Sequence, residues 1–257
     1  MSNLPTLAKG PVLLPGTFNK DAIVFIDAEV SPETGQIVDL GACRADGRFF
    51  HSSNVAAFKE FCKGADFVCG HNIVAFDMQY LRPVLGDGPQ AVDTLPLSAL
   101  LFPRKRFHNL LKDEKLLTDE LNNPLSDARK AMALFEEEVA AFNELPGVLQ
   151  RLFCAMLKNR PEFAGFFRCL NVQTPTFADP AGVIKRLMAD KLCIHADLDG
   201  LAKRQPAELA YALAFIRAAE PADVIPPWVN TNYPATQSVL NALRYTPCKK
   251  GCPYCKE

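Results

Sequence analysis

Short, dense clusters of apolar residues fill the first part of the chain, and helix-type spacing takes over after about residue 145. The clearest cluster is Ile23-Val24-Phe25-Ile26-Asp27-Ala28-Glu29, four apolar residues that end in two carboxylates spaced i, i+2. So short a run of branched and aromatic residues predicts a buried strand. Ser31 to Gly35 reads as a turn, and Gln36 to Arg44 alternates as a second strand. Ala45-Asp46-Gly47 is a hairpin signal that returns the chain as Arg48-Phe49-Phe50-His51, which makes three antiparallel strands in a row. Asn54 to Cys62 carries Val55, Phe58, Phe61 and Cys62 at helical spacing, with Asn54 as N-cap. Phe67-Val68-Cys69 predicts a short strand closed by Gly70-His71-Asn72, and Val74 to Leu81 a helix with Asp77 in its first turns. Ala91 to Thr94 gives a further short strand before the apolar run Leu95 to Leu101, and Leu110 to Leu117 a short helix. Asn123 is placed to cap, and Pro124 to open, an amphipathic helix over Asp127 to Val139.

Beyond residue 145 the periodicity predicts helices at 148–157, 181–187, 207–219 and 236–243, separated by proline-rich loops. The expected organisation is an irregular lead-in over 1–20, an α/β domain over 21–145, a mostly helical accessory domain over 146–245 and a cysteine cluster over 246–257. No internal repeat interrupts this order.

Composition narrows the functional classes. Apolar residues make up 49% of the chain, enough for a sizeable core, and the net charge is −1, so any nucleic-acid contact must be local rather than a general basic field. Val12-Leu13-Leu14 is cut by Pro11 and Pro15 and is neither signal peptide nor membrane span. The nine cysteines lack the framework of a secreted mini-protein and read as reduced thiols in a cytoplasm. Cys43, Cys62 and Cys69 fall within predicted elements and are expected to be buried.

The candidate chemistry rests on carboxylates. Strand alternation turns Asp27 and Glu29 to one face. Two like charges there call for a hard divalent cation with oxygen ligands, Mg²⁺ or Mn²⁺. Asp77 and Asp127 each stand at an element end as well, and four such groups are enough for two ions. A pair of divalent ions ~3.5–4 Å apart can clamp the attacking and leaving oxygens of a phosphodiester displacement.

These three segments, with Gly70-His71-Asn72-Ile73-Val74-Ala75-Phe76-Asp77 as the specific one, resemble the exonuclease motifs of the DnaQ-like (DEDD) 3′–5′ exonuclease superfamily over about residues 21–143. The resemblance implies a ribonuclease-H-like mixed sheet flanked by helices, with Asp27, Glu29, Asp77 and Asp127 as ligands of two Mg²⁺ or Mn²⁺ ions. It implies a 3′–5′ exonuclease of DNA; a catalytically weak nucleic-acid-binding module and an exonuclease of RNA ends are the alternatives. The chain departs from the family at the third motif. The general-base positions, His five residues or Tyr four residues before the last aspartate, are Asn122 and Asn123, and a carboxamide does not accept a proton from water at neutral pH. His108 is the candidate substitute base. Arg104, Lys105, Arg106 and Phe107 interleave basic and aromatic character suited to phosphates and a stacked base, and Asn72 adds a polar group at the strand end.

Cys248, Cys252 and Cys255 form a C-x3-C-x2-C cluster with metal-ligand spacing, with zinc expected ahead of iron–sulfur. Zinc usually takes four ligands. The expected fourth comes from a continuation of the chain, with Cys193 or His195 folding back as the other source. The stretch Phe107 to Asp127 also resembles exonuclease domains fused ahead of bacterial RecQ-type helicases, which implies a helicase partner in the same polypeptide.

Overall fold

A computed structural model describes residues 19–110, 123–172, 179–246 and 248–255. Strands β1 (Ile23–Val30), β2 (Ile37–Cys43), β3 (Phe49–His51), β4 (Phe67–Gly70) and β5 (Gln90–Asp93) form one mixed sheet in the order β3-β2-β1-β4-β5. β1, β2 and β3 pair antiparallel, as the hairpin signals predict, whereas β4 and β5 add in parallel on the other side of β1. The fold is α/β.

Alternation along β1 sorts the core into two layers. Val24, Ile26 and Ala28 pack with Phe58 and Cys62 of α1 (Val55–Cys62) and with Met78 and Leu81 of α2 (Met78–Leu85). Ile23 and Phe25 face the opposite way, toward Leu125, Ala128, Phe135, Val139 and Phe142 of the long helix α4 (Pro124–Glu144). Between α2 and α4 in the chain, α3 (Thr94–Leu101) is buried almost throughout, which is why its run is apolar on every side.

The helical region comprises α5 (Gly147–Leu157), α6 (Pro161–Cys169), α7 (Pro180–Met188), α8 (Leu198–Arg204), α9 (Pro206–Ala218), α10 (Pro227–Asn232) and α11 (Thr236–Arg244). Four of these match the periodic stretches; α6, α8 and α10 are additional, being short, and α6 and α10 opening on proline. The core of Ile23 and Phe25 continues through Phe166, Tyr211 and Leu243, so the change of element type near residue 145 crosses one continuous hydrophobic body. Tyr211 donates its hydroxyl to the Pro96 carbonyl at 3.0 Å across that line. In α6, Gly165 lies so close to the Ala91 carbonyl that a Cβ would collide with it.

Two boundaries differ from the sequence reading. The helix expected from Val74 begins only at Met78, because Asn72 sits at φ 62° and the Asp93 carboxylate takes the N–H groups of Asn72 and Val74. Asp77 is therefore the residue that precedes the helix rather than one inside its first turns. Asn123 caps and Pro124 opens α4 as expected, with Asn123 Oδ1 accepting from Ser126 N at 3.1 Å, but the helix runs past Val139 to Glu144. The expected Leu110–Leu117 helix falls, but for Leu110, outside the described residues, as does Asn122. Among the described residues no helix is long and apolar enough to cross a membrane.

Candidate functional site

The site grows out of the end of β1. Ile23 and Phe25 line the core beneath α4, and the same alternation turns Asp27 and Glu29 to that face one step past the apolar run. Asp27 pairs in register with Gly41 of β2. A Cβ on Gly41 would collide with the backbone of Pro124 and Leu125, so glycine is what lets the first turn of α4 rest directly on the strand. That contact brings Asp127, in the same first turn, over Asp27. Asp77 arrives from the other side. β4 stops pairing with β1 at Phe25↔Cys69, so beyond it the β1 N–H groups that face away from β2 have no strand partner, and Asp77 Oδ1 accepts the one of Ala28 at 3.1 Å.

Asp77, Asp127 and Glu29 all lie within electrostatic reach of Asp27. Burial, then the charges of Asp77, Asp127 and Glu29, push the Asp27 carboxyl up to about 8. Burial also raises Asp77 to about 7, against the pull of the Ala28 N–H, with Asp93 and Glu29 adding repulsion. Asp127 is half-buried, with Lys130 Nζ 3.5 Å from its Oδ1. Buried oxygen donors that repel one another fit a hard divalent cation, which offsets both the burial of charge and the repulsion.

Asp93 braces the loop that carries Asp77. It caps α3 at Leu95 N and accepts N–H groups from Asn72 and Val74 at 2.9 and 3.0 Å. Burial lifts it to about 6 against those three donors. The sequence marks this aspartate only as a strand end; its grip on the Asn72 loop is set by the fold. His71 Nδ1 lies 2.9 Å from Thr94 Oγ1, and Thr94 Oγ1 donates to the Gly70 carbonyl at 3.3 Å, so His71 ties two strand ends together. Asn72 is exposed at its left-handed turn, a conformation asparagine tolerates.

His108 is buried, with Nδ1 2.9 Å from Ser98 Oγ; burial, then the charge of Lys105, pulls it down to about 4. Its described partners include none of the four carboxylates. Arg104 is engaged by Glu220 and Asp223 at 2.8 and 2.9 Å, Lys105 lies over the Phe102 ring with Glu137 at 4.0 Å, and Arg106 is exposed. Phe107 is 72% exposed and, with His108, lines an open cleft whose far wall is Lys130, Ala133 and Leu134 of α4. Lys130 thus borders both this cleft and Asp127, a position that only helical spacing from Asp127 hints at.

The cysteines divide into buried thiols, as expected, and a C-terminal group in which Cys193 rather than Cys252 completes the close trio. All nine are free, and Cys43, Cys62 and Cys69 are buried among apolar side chains. The thiols of Cys193, Cys248 and Cys255 lie within 4.8 Å of one another, close enough to share one metal ion. Cys193 thus supplies a thiol from within the chain, the source that the sequence reading set second to a continuation. Cys252 lies next to this trio, with the Cys255 N–H donating to its sulfur at 3.3 Å; that bond first, with N–H groups of Ile194 and Tyr254, holds the Cys252 thiol down at about 7. In comparisons with known proteins, no family model matches the chain, and no curated protein or solved structure does.

Proposed function

We propose that the chain is a metal-dependent 3′–5′ exonuclease of DNA with a ribonuclease-H-like fold. The observation that carries this reading is that Glu29, Asp77 and Asp127, with Asp77 and Asp127 from distant segments, all act on the charge of Asp27, and that Asp77 is hydrogen-bonded to the Ala28 N–H beside it. The antiparallel β3-β2-β1 opening followed by parallel β4 and β5 supports the fold assignment.

Asp27, Glu29, Asp77 and Asp127 would hold Mg²⁺ or Mn²⁺. Bound there, such ions supply Lewis acidity, which activates water and neutralises charge on a phosphodiester. The protein's own part is positioning. The Ala28 N–H fixes the Asp77 carboxylate, Gly41 fixes the height of α4 above the sheet, and Asp93 fixes the loop between β4 and α2. Lys130 offers a cation beside Asp127 toward a phosphate, and Phe107 offers an exposed ring for a terminal base. His108 is not given the role of proton acceptor, because its imidazole is sealed against Ser98.

Single-stranded DNA and RNA labelled at the 5′ end, incubated with Mg²⁺ or Mn²⁺, test the reading. A ladder shortening from the 3′ end on DNA, lost in Asp27→Ala, is expected. Stronger shortening of RNA would reassign the polymer. Binding without shortening, under either metal, would leave a nucleic-acid-binding module.

A further inference from the structure

We propose that Cys193, Cys248, Cys252 and Cys255 form a closed four-thiolate zinc site that clasps the segment after α11 onto the loop between α7 and α8. The reading is independent of the nuclease assignment and rests on three observations.

The first is spacing. A zinc ion ~2.3 Å from each of four tetrahedral sulfurs sets those sulfurs roughly 3.8 Å apart. Three of the thiols already lie within 4.8 Å of one another, a spacing suited to a single ion. A four-iron cluster holds its cysteine sulfurs at the corners of a larger cage, so this spacing favours zinc.

The second is the turn. Cys252-Pro253-Tyr254-Cys255 folds so that the Cys255 N–H points at the Cys252 sulfur. A backbone donor aimed at sulfur stabilises the thiolate, the form that binds metal. Cys255 thereby ties Cys252 to the trio.

The third is a built enclosure. Cys193 N donates to the Leu243 carbonyl at 2.8 Å, Arg244 Nε to the Lys191 carbonyl at 3.0 Å, and Tyr254 Oη to the Arg244 carbonyl at 3.2 Å. His195 Nε2 lies 3.1 Å from the Gly251 carbonyl, a hydrogen bond that orients the loop and leaves the imidazole outside the thiol group. Cys193 is buried, whereas the other three are partly exposed, so the tail closes over a fixed anchor. Four protein ligands leave no position for substrate, which makes the site structural.

The test is elemental analysis of the purified chain after a mild EDTA wash that strips oxygen-held ions. About one zinc per chain is expected, with Co²⁺ substitution giving the intense visible bands of a tetrahedral four-sulfur site. In the natural sequence, titration with a thiol reagent should release that zinc as four thiols are modified, a readout that survives even if a cysteine variant misfolds. Cys193→Ser and Cys252→Ser should each lower zinc retention at least tenfold. Iron in place of zinc, with visible sulfur-to-iron absorption, would overturn the assignment. So would metal-free protein, a mapped disulfide between Cys193 and Cys248, or a Cys252→Ser chain with full zinc and an unchanged cobalt spectrum.

Discussion

Two clusters of ligating side chains sit at opposite chemical extremes in this protein. At the end of β1 the donors are hard carboxylates, and burial with neighbouring like charge raises two of them, Asp27 and Asp77, well above the ordinary aspartate range. Near α11 the donors are soft thiols, close-set, with backbone N–H groups turned toward sulfur. The first is held by regular structure, by one strand and the ends of two helices. The second is held by loops and a tail. Hard oxygen donors suit an exchangeable cation that takes part in chemistry, while a closed sulfur set suits an ion that stays.

The strongest way to break this contrast is to remove one hard ligand. Asp127→Asn should lower nuclease turnover by about 10²-fold or more, the scale on which loss of one group stabilising developing charge registers. Zinc content should not change. Wild-type turnover in that variant would defeat the two-ion reading, and lost zinc would show that the clusters are not separate. Next in size is Gly41→Ala, which places a methyl against the Pro124 and Leu125 backbone. Overpacking there should cost about 1–3 kcal/mol in denaturant unfolding, with activity falling further than stability because Asp127 moves. An active, equally stable variant would mean that α4 does not set the site.

A third carboxylate environment sharpens the comparison. Glu138 is fully buried on α4 beneath the sheet, and neither oxygen has a hydrogen-bond partner among the described residues. Burial foremost, with repulsion from Asp93 and Glu137 outweighing the pull of Lys105, raises it well above its usual value. The folded state therefore keeps a proton that the unfolded chain releases. Its stability is full below the unfolded value of about 4.5 and declines as pH rises toward the folded value. Glu138→Gln should match the natural protein near pH 4 and gain on it at higher pH, by up to about 1.4 kcal/mol per pH unit. Parallel stability curves would show that Glu138 is ionised in the fold.

The smallest effect is expected from Asp27→Asn without divalent metal. Relief of repulsion should raise the melting midpoint by roughly 2–4 °C, or ~1 kcal/mol. Added Mn²⁺ should stabilise the natural chain and not the variant. A lower midpoint in chelator would mean that Asp27 makes a net favourable contact.

What the sequence reveals follows from which interactions are local. Strand alternation alone turns Asp27 and Glu29 to one face, and the motif around Asp77 locates its loop. The hairpin signals give β1, β2 and β3 their direction. Gly41 carries no sequence mark, because its need arises only when a helix some eighty residues on lands on it. Arg104 reads as a phosphate contact until Glu220 and Asp223 come beside it. Cys193 is a lone thiol in the chain and becomes a ligand candidate only when α11 brings the tail back. The helix expected at Val74 fails for a similar reason: the Asp93 carboxylate that competes for its first N–H groups belongs to another strand.

The seat of Gly165 on β5 has a consequence for how copies of this protein behave in a crowd. Gln90 bonds inward to Asp66, so the Ala91 carbonyl points away from the sheet, where the backbone of α6 covers it. A second chain therefore cannot add a strand on that side. The other margin, β3, is three residues long and carries Phe49 beneath an arginine, Arg129. So brief and charged a border is a poor template for strand-by-strand polymerisation. A bulky residue at 165 would lift α6 and uncover the longer margin, turning a folded protein into a seed for aggregation.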